Sequence, residues 1–415
     1  MNAVVSLARQ LVVVRSRVVW HGRVDRDPFA RLQLAEGRQD PYALYEEVRR
    51  RGDLVPSPTI GFQTASHRVC RAVLRDRRFG IRAEGAINQG DGNMSLLELD
   101  PPDHTRIRRL AAPAFSPRAL TDFRDRIEAI VDGLLEALPT DGPFDLVSGL
   151  ASPLPIAVIT DLLGVPTTNS AAFARYGATV GSALAGPQSL PHVVRLIQAD
   201  RALNRVLTEV FDHHRREPGD DLVCRLLAIE GDELQPQELR ALCMLLLLAG
   251  FETTVNLIGN TVLALLDRPD QWRAVVDDPS LAGAAVEETL RWDPPVQRTF
   301  RAPLADLELE GVPVPAGSMV MLYLAGANRD PTVFPDPDRF DLHRTPGAEH
   351  LAFSAGIHYC VGAPLARAEA TIAVQRLAER FPRLGRAGRL RRRNGTVIRG
   401  PVELVVAQRS MASAA

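Results

Sequence analysis

Residues 350–367 read HLAFSAGIHYCVGAPLAR, and this stretch decides the fold. Cys360 lies between a loop that contains Gly356 and Gly362 and the predicted start of an apolar helix. Free amides and the positive dipole end at a helix N-terminus favour thiolate over thiol, and glycines let the backbone approach a flat ligand closely. An isolated thiolate suits a single axial bond to iron, whereas zinc requires several neighbouring ligands. The alternative, when this loop is considered alone, is a buried and unreactive cysteine.

The longest predicted helix begins at Pro236, which suits a first helical turn, and ends at Leu266, with Pro269 following. At 1.5 Å per residue this helix is about 45 Å long. Its run ALCMLLLLAGF is typical of a helix that is buried on all sides. A helix of this kind crosses a whole domain and can form one wall of an interior cavity.

AGFETT at 249–254 places polar side chains in the middle of this apolar helix. Gly250 leaves space where a side chain would be, Thr253 supplies a hydroxyl for hydrogen bonding, and Glu252 supplies a carboxylate that can relay protons. Buried polar groups are costly unless they are satisfied or functional. The alternative is structural, with a threonine that bonds its own i−4 carbonyl and a glutamate that reaches the surface.

Two other motifs place charged side chains at helical spacing. In LDPPDHTRIRRL at 99–110, His104 and Arg108 are four residues apart and share one helix face, which suits the binding of an anion. In EETLR, Glu288 and Arg291 are three residues apart and also share a face. Taken alone, the second pair is typical of a solvated ion pair that contributes little.

These motifs, in this order, resemble those of a bacterial cytochrome P450 over residues from about Asp40 to Val406. FSAGIHYCVG matches the family's heme loop, F-x-x-G-x-x-x-C-x-G, with Ser354 at a position where glycine is commonest. AGFETT resembles the family's A-G-x-D/E-T-T, and EETLR its E-x-x-R. The resemblance implies a heme-thiolate monooxygenase in which Cys360 is the iron ligand and O2 is the co-substrate.

The resemblance also implies roles for the other site residues. Heme b would be held at its propionates by four side chains, namely His104, Arg108, Arg301 and His358. Gly250 would border the oxygen and substrate space, and Glu252 and Thr253 would form the catalytic pair that delivers protons.

In the family, the glutamate and arginine of E-x-x-R are buried and are joined by an arginine from a later P-D-R-F motif, here Arg339. We interpret Glu288, Arg291 and Arg339 as structural residues that hold the cysteine loop in place. A polar residue in the nearby TFR region, Arg298, has two interpretations, a site for a substrate carboxylate or a loop contact.

The rest of the chain predicts a mainly α fold with a minor antiparallel β part. Alternating apolar segments around Leu54–Phe62 and strand-like runs over Leu307–Leu324 predict the strands, and a helix is predicted from about Pro364 to Phe381. In the P450 fold that the resemblance implies, the heme lies between the long central helix and the helix after the cysteine loop. We expect residues 25–415 to form a single domain, preceded by a basic and apolar segment at 1–24.

Composition excludes several classes of function. Apolar residues make up 46% and charged residues 24%, as in globular proteins, and the net charge of −1 gives no basic excess for binding nucleic acid. All 49 basic residues are arginine, so Schiff-base catalysis and lysine-dependent phosphate binding are excluded. Four dispersed cysteines without a C-x-x-C pair, and no secretory leader, favour a cytoplasmic location over a disulfide framework.

The resemblance implies that electrons come from separate proteins, a ferredoxin and an NAD(P)H-dependent ferredoxin reductase. Arg106, Arg109 and Arg367 are candidate contacts for the ferredoxin, with ordinary surface charges as the alternative. Family correspondence places substrate-facing residues at 83–97, 170–195, 246–254, 296–299 and 396–397, and the loop at 83–97 is a candidate entrance. The small-residue stretch ATVGSALAG at 178–186 and the leucine run at 245–248 indicate an apolar pocket, so the substrate is expected to be an apolar organic small molecule.

Two basic segments remain. Residues 1–24 contain four arginines and no acid, and the arginines break the apolar run short of the roughly 18–20 residues that span a bilayer, so integral membrane insertion is not expected. A packed helix is favoured there, with weak peripheral contact to an anionic membrane as the alternative. Arg383 to Arg399 holds seven arginines and no acid and is interpreted as a solvated turn before the terminal strand.

Two other functions stay open at this point. A peroxygenase that uses hydrogen peroxide is one, although the acid–alcohol pair at 252–253 argues against it. A non-catalytic heme-binding protein, such as a gas or redox sensor, is the other.

Overall fold

The computed structural model describes residues 13, 15–81, 96–166, 172, 175, 176, 179, 180, 189–219, 221–345 and 347–409. The helices are α1 (Pro28–Leu32), α2 (Ala35–Gln39), α3 (Tyr42–Arg51), α4 (His67–Arg75), α5 (Asp103–Ala111), α6 (Pro117–Glu136), α7 (Pro153–Leu162), α8 (Leu190–Arg216), α9 (Leu222–Leu227), α10 (Pro236–Leu266), α11 (Pro269–Asp277), α12 (Ala282–Trp292), α13 (Leu324–Ala327) and α14 (Ala363–Arg380). The strands are β1 (Val55–Ser57), β2 (Gly61–Thr64), β3 (Phe79–Gly80), β4 (Phe144–Asp145), β5 (Thr299–Pro303), β6 (Leu307–Leu309), β7 (Val312–Val314), β8 (Met319–Leu322), β9 (Leu384–Arg392) and β10 (Pro401–Gln408).

The central helix α10 begins and ends where the sequence predicts. Pro236 occupies its first turn, and the Glu238 carboxylate accepts a hydrogen bond of 2.9 Å from the backbone N–H of Gln235, which caps the helix. The helix is long and apolar enough to cross a membrane, but 78% of its most apolar window is buried inside the protein. It is therefore a core helix, and it packs against α7, α12 and α14.

The strands form a five-stranded sheet in the order β1-β2-β8-β5-β3, a three-stranded sheet in the order β4-β10-β9, and the hairpin β6-β7. Strand pairs in these sheets are antiparallel except β2 and β8, which run parallel with Gly61 opposite Met319. The predicted mainly α fold with a minor antiparallel part is confirmed. Strands occur in both regions where alternating apolar residues predict them.

Helices α10 and α14 pack against each other, and this contact positions the site. The largest cluster of buried apolar side chains extends from Leu96 to Val406 and includes residues of both helices. The turn of α10 that carries AGFETT and the loop that precedes α14 are therefore held by one core.

Several regions singled out in the sequence lie mostly outside the described residues. Of the predicted entrance loop at 83–97 only residues 96 and 97 are described, and of the stretch 178–186 only residues 179 and 180. Near the N-terminus, residues 15–23 are helical and Trp20 is 61% exposed.

The prediction of a solvated turn at Arg383–Arg399 is wrong for several of its arginines. Much of the stretch forms β9, and two arginines bind the buried carboxylate of Asp293, with Arg392 Nη1 at 3.6 Å and Arg399 Nε at 3.1 Å. An arginine run that holds no acid finds its counter-charges elsewhere in the fold, here in the segment that follows α12.

The prediction of Arg339 as the third member of the E-x-x-R network is also wrong. Glu288 and Arg291 form a buried pair joined by two hydrogen bonds of 2.8 Å. The side chain that joins them is Arg344, whose Nε lies 3.1 Å from Glu288 Oε1. The Arg339 side chain is 68% exposed and pairs with Asp341, and only its carbonyl accepts hydrogen bonds from Arg291 and Arg344. At Arg339 the loop therefore contributes a backbone carbonyl, and not a side chain, to the network around Glu288.

We therefore predict that Arg344→Ala destabilises the protein far more than Arg339→Ala. Loss of Arg344 leaves Glu288 with one of its two cations, so the free energy of unfolding should fall by about 2–3 kcal/mol, below the roughly 3–5 kcal/mol of a fully unpaired buried charge. Loss of the exposed Arg339 side chain should cost less than about 0.5 kcal/mol. Urea denaturation of both variants measures the difference, and equal destabilisation would contradict the assignment.

Candidate functional site

The loop before α14 is fixed by its backbone. The Cys360 N–H donates to the Phe353 carbonyl at 2.9 Å. Gly356 has a φ of +68°, and a Cβ on it would lie 2.4 Å from the carbonyl oxygen of Leu74 in α4, so only glycine fits. Ser354 also adopts the left-handed region, with a φ of +64°. This conformation explains why glycine suits the position.

Opposing electrostatic effects act on the pKa of the Cys360 thiol. Its side chain is exposed, yet protein atoms surround it closely enough that burial is the largest influence and raises the pKa of the thiol. Hydrogen bonds from the amides of Gly362 and Ala363, and the charges of Arg108 and Arg367, lower that pKa. The amides at the start of α14 are thus directed at the sulfur, which suits a thiolate that binds a soft metal.

Four side chains predicted to bind an anion converge beside this loop. The rings of His104 and His358 lie 4.2 Å apart between centroids. Arg108 Nη2 donates to the carbonyl of Tyr359 at 2.5 Å, which connects α5 to the cysteine loop. Arg301, on β5, is 4% exposed and its charge acts on both imidazoles. Residues from α5, β5 and the cysteine loop therefore form one polar cluster.

This cluster leaves buried donors without partners. Neither ring nitrogen of His104 nor Nε2 of His358 has a hydrogen-bond partner among the described residues. Burial, reinforced by Arg301, His104 and Arg108, lowers the pKa of His358 to about 3, and burial lowers the pKa of Arg301 to about 10. The Asp100 carboxylate, 3.9 Å from His358 Nε2, is also bonded to the Ile81 amide. Unpartnered ring nitrogens, the buried guanidinium of Arg301 and the half-buried one of Arg108 fit the carboxylates of a heme.

In the AGFETT turn of α10, Thr253 makes the bond of the structural interpretation, whereas Glu252 does not follow it. The Thr253 hydroxyl donates to the Ala249 carbonyl at 2.6 Å, as in the structural alternative. Glu252 does not reach the surface, because it is 3% exposed. Within the part of the chain that the structure describes, a Cβ on Gly250 would contact only Ile159, at 3.8 Å, so the packing of these residues does not require glycine there.

The counter-ion of Glu252 is Arg393, a residue that the sequence interpretation missed. Arg393 Nη1 lies 2.5 Å from Glu252 Oε1, and the arginine side chain is 20% exposed. Burial raises the pKa of Glu252, while the charge and hydrogen bond of Arg393 lower it. The signal available in the sequence was the acid-free arginine run. Such a run indicates acidic partners elsewhere in the chain but does not identify them.

Two stretches assigned to the substrate region by family correspondence, 296–299 and 396–397, are joined through the backbone. The Gln297 N–H donates to the Val397 carbonyl at 2.9 Å. Arg298 donates to the Thr396 hydroxyl at 2.7 Å and stacks over Phe29. Of the two interpretations of Arg298, the structure shows the loop contact.

The three arginines considered for a ferredoxin all have acidic neighbours. Arg106 pairs with Glu238 at 2.5 Å, and Arg109 pairs with Glu233 at 3.2 Å. Arg367 Nε lies 2.5 Å from a Glu287 carboxylate oxygen. Their charges are partly neutralised within the chain.

We predict that Ser354→Gly stabilises the loop. A left-handed conformation costs a non-glycine residue about 1–2 kcal/mol, part of which is offset by the greater freedom of glycine in the unfolded chain, so the gain should be about 0.5–1 kcal/mol. Gly356→Ala is the opposite case, since its Cβ would clash with the Leu74 carbonyl, and should cost more than about 2 kcal/mol. Thermal denaturation tests both, and a destabilised Ser354→Gly protein would show that the hydroxyl matters more than the strain.

Comparisons with known proteins agree with this geometry. A family profile described as "Cytochrome P450" matches residues 191–384. The chain is 41% identical to "Cytochrome P450 monooxygenase PikC" of Streptomyces venezuelae, over 83% of this chain and 85% of that protein. It is 44% identical to "Vitamin D(3) 25-hydroxylase" of Pseudonocardia autotrophica, over 74% of this chain and 75% of that protein.

A solved structure is similar over nearly its whole length. The ligand-free crystal structure of Mycobacterium smegmatis CYP164A2 superposes with a TM-score of 0.84 at 40% sequence identity. The match covers 92% of this chain and 99% of that chain.

Proposed function

This chain belongs to the cytochrome P450 family, a family of heme-iron oxidoreductases that includes named monooxygenases and hydroxylases, and we propose that it oxidises an apolar organic small molecule with O2. In this proposal residues 25–415 act as one domain that holds heme b. Electrons pass from NAD(P)H through a ferredoxin reductase and a ferredoxin, and the protein works in the cytoplasm.

The observation that carries the proposal is the pairing of an amide-supported sulfur with a cluster of two arginines and two imidazoles whose ring nitrogens lack partners among the described residues. Cys360 supplies the metal ligand, and His104, Arg108, Arg301 and His358 supply donors for the two propionates. A structural cysteine alone would not need two guanidiniums and two imidazoles, all buried or half-buried, beside it. When bound, the heme supplies the iron at which dioxygen is reduced and the substrate is oxidised.

The remaining residues lie on α10 and would supply protons and space for the reaction. Gly250 presents no side chain, and its missing Cβ leaves room along α10. Glu252 is buried and ion-paired, so it holds an acidic group inside an apolar helix. Thr253 carries a hydroxyl next to that carboxylate in sequence, and its bond to Ala249 must open, or be shared, for it to donate toward the pocket. We assign proton delivery to Glu252 and Thr253.

The function is tested by isotope labelling with a panel of apolar small molecules that shift the heme spectrum on binding. With NADPH, a surrogate ferredoxin and its reductase, one atom of labelled O2 should appear in the product and the other in water. Turnover with hydrogen peroxide and none with the ferredoxin system would instead establish a peroxygenase. Heme and ligand binding without turnover under either condition would indicate a sensor.

We predict that Thr253→Ala keeps heme binding but diverts electrons into hydrogen peroxide. The loss of a positioned donor should reduce product per electron pair by about tenfold or more. Thr261→Ala is a matched control, because Thr261 lies on the same helix and makes the same i−4 bond, to Leu257 at 2.8 Å. The ratio of product to NADPH consumed measures the effect. Equal coupling in the two variants would contradict the role of Thr253.

We predict that Arg393→Gln alters the pH dependence of coupled turnover. The Arg393 charge lowers the pKa of Glu252 against the effect of burial, so its removal raises that pKa and keeps the carboxyl protonated to higher pH. A group that delivers protons must be protonated to act, so the alkaline limb of the profile should move to higher pH. Arg391→Gln, which removes an exposed partner of Glu403 on the neighbouring strand, should leave the limb in place. An unchanged Arg393→Gln profile would separate Glu252 from the proton path.

A further inference from the structure

Three metal-binding side chains meet at the junction of α8 and α9. His214 lies near the end of α8, Asp221 caps the N-terminus of α9, and Cys224 is the third residue of α9. One nitrogen, one oxygen and one sulfur from these residues all lie within 4.8 Å of one another. The sequence alone assigned no function to His214 or Cys224.

The donor set suits zinc. Imidazole, carboxylate and thiolate bind zinc at about 2.0–2.3 Å, and tetrahedral geometry at those lengths separates the donor atoms by roughly 3.3–3.8 Å. His214 Nε2 and Asp221 Oδ1 are already 3.3 Å apart. Calcium and magnesium prefer sets made of oxygen atoms alone, so the sulfur argues for a softer ion.

Neighbouring backbone groups orient two of the ligands. The Gly219 N–H donates to Cys224 Sγ at 3.0 Å, so the sulfur acts as an acceptor. The Cys224 N–H donates to Asp221 Oδ1 at 2.9 Å, which fixes the carboxylate. Gly164 has a φ of +65°, and a Cβ on it would lie 2.4 Å from that carboxylate. Outer hydrogen bonds of this kind position the ligands of metal sites.

The histidine is buried, and the ring nitrogen that it directs to the cluster is Nε2. The His214 side chain is 4% exposed, and its Nδ1 has no hydrogen-bond partner among the residues that the structure describes. Its Nε2 faces Asp221 Oδ1 and, at 3.4 Å, the Leu163 carbonyl. A thiolate and a carboxylate would neutralise a divalent cation, so the cation could occupy this half-buried position without an excess charge.

We propose that His214, Asp221 and Cys224 bind one zinc ion, with water as the fourth ligand. Binding replaces the Cys224 thiol proton, which leaves to solvent, with a zinc–sulfur bond, and no oxidation or reduction occurs. The ion joins the end of α8 to the start of α9 and stabilises the native state by binding it selectively. The site is independent of heme and oxygen chemistry.

The test uses the heme-loaded, full-length protein after treatment with a chelator and removal of that chelator. Zinc is titrated against a chromophoric competing chelator, and zinc X-ray absorption identifies the ligands. We expect one zinc per chain, with one sulfur at about 2.3 Å. Cys224→Ser and His214→Gln should each weaken binding by about 100-fold or more, since even second-shell changes reach 10–100-fold. His213→Gln removes the adjacent imidazole, which is outside the cluster, and should not change the affinity.

Equal zinc affinity in the wild-type, Cys224→Ser and His213→Gln proteins would overturn the proposal, as would an absorption spectrum without a sulfur ligand. If His214→Gln does not fold, Cys224→Ser still tests the site. Serine retains an acceptor for the Gly219 amide, so this variant should fold. Retained zinc binding in a protein that shows no monooxygenase turnover would support this site and contradict only the proposed function.

Discussion

The proposed function depends on the placement of one atom, the sulfur of Cys360, at the start of α14. Burial opposes ionisation of the thiol, while the amides of Gly362 and Ala363 and two arginines favour it. The amides are available because the helix begins there and its first N–H groups have no intrahelical acceptor. The loop must therefore keep its backbone in one conformation, and Gly356 satisfies that requirement where α4 passes within van der Waals distance.

Other parts of the fold support this arrangement from a distance. Glu288, Arg291 and Arg344 join α12 to the segment before the loop through bonds to its carbonyls. The basic cluster of α5, β5 and the loop leaves imidazole nitrogens without partners among the described residues, at a cost that a dianionic ligand would offset. Helix α10 carries a buried acid whose counter-ion comes from just beyond β9, near the C-terminus of the chain. Segments that are remote in sequence thus supply the charged groups of the candidate site.

The sequence predicts the elements well because its patterns are local. The bounds of α10 follow from Pro236, an apolar run and Pro269, and α14 follows from the glycine loop before it. Motif spacing also identifies the residues that the structure brings together beside Cys360, since His104 and Arg108 share a helix face. Local patterns carry this information without knowledge of tertiary contacts.

Pairing between distant charges is not local, and there the sequence fails. Arg344 and Arg339 are five residues apart in one irregular loop, and only the path of the backbone decides which side chain enters the network. Arg393 belongs to an arginine run that gives no indication of a partner 141 positions earlier. The conformation of an irregular loop and the partner in a long-range ion pair can be identified only from the folded structure.

The most direct test of the central claim is the absorption spectrum of the reduced, heme-loaded protein under carbon monoxide. Coordination by the Cys360 thiolate predicts a strongly red-shifted Soret band that Cys360→His abolishes. A natively folded, heme-loaded wild-type protein whose band stays at the position found for histidine-ligated heme would contradict the account.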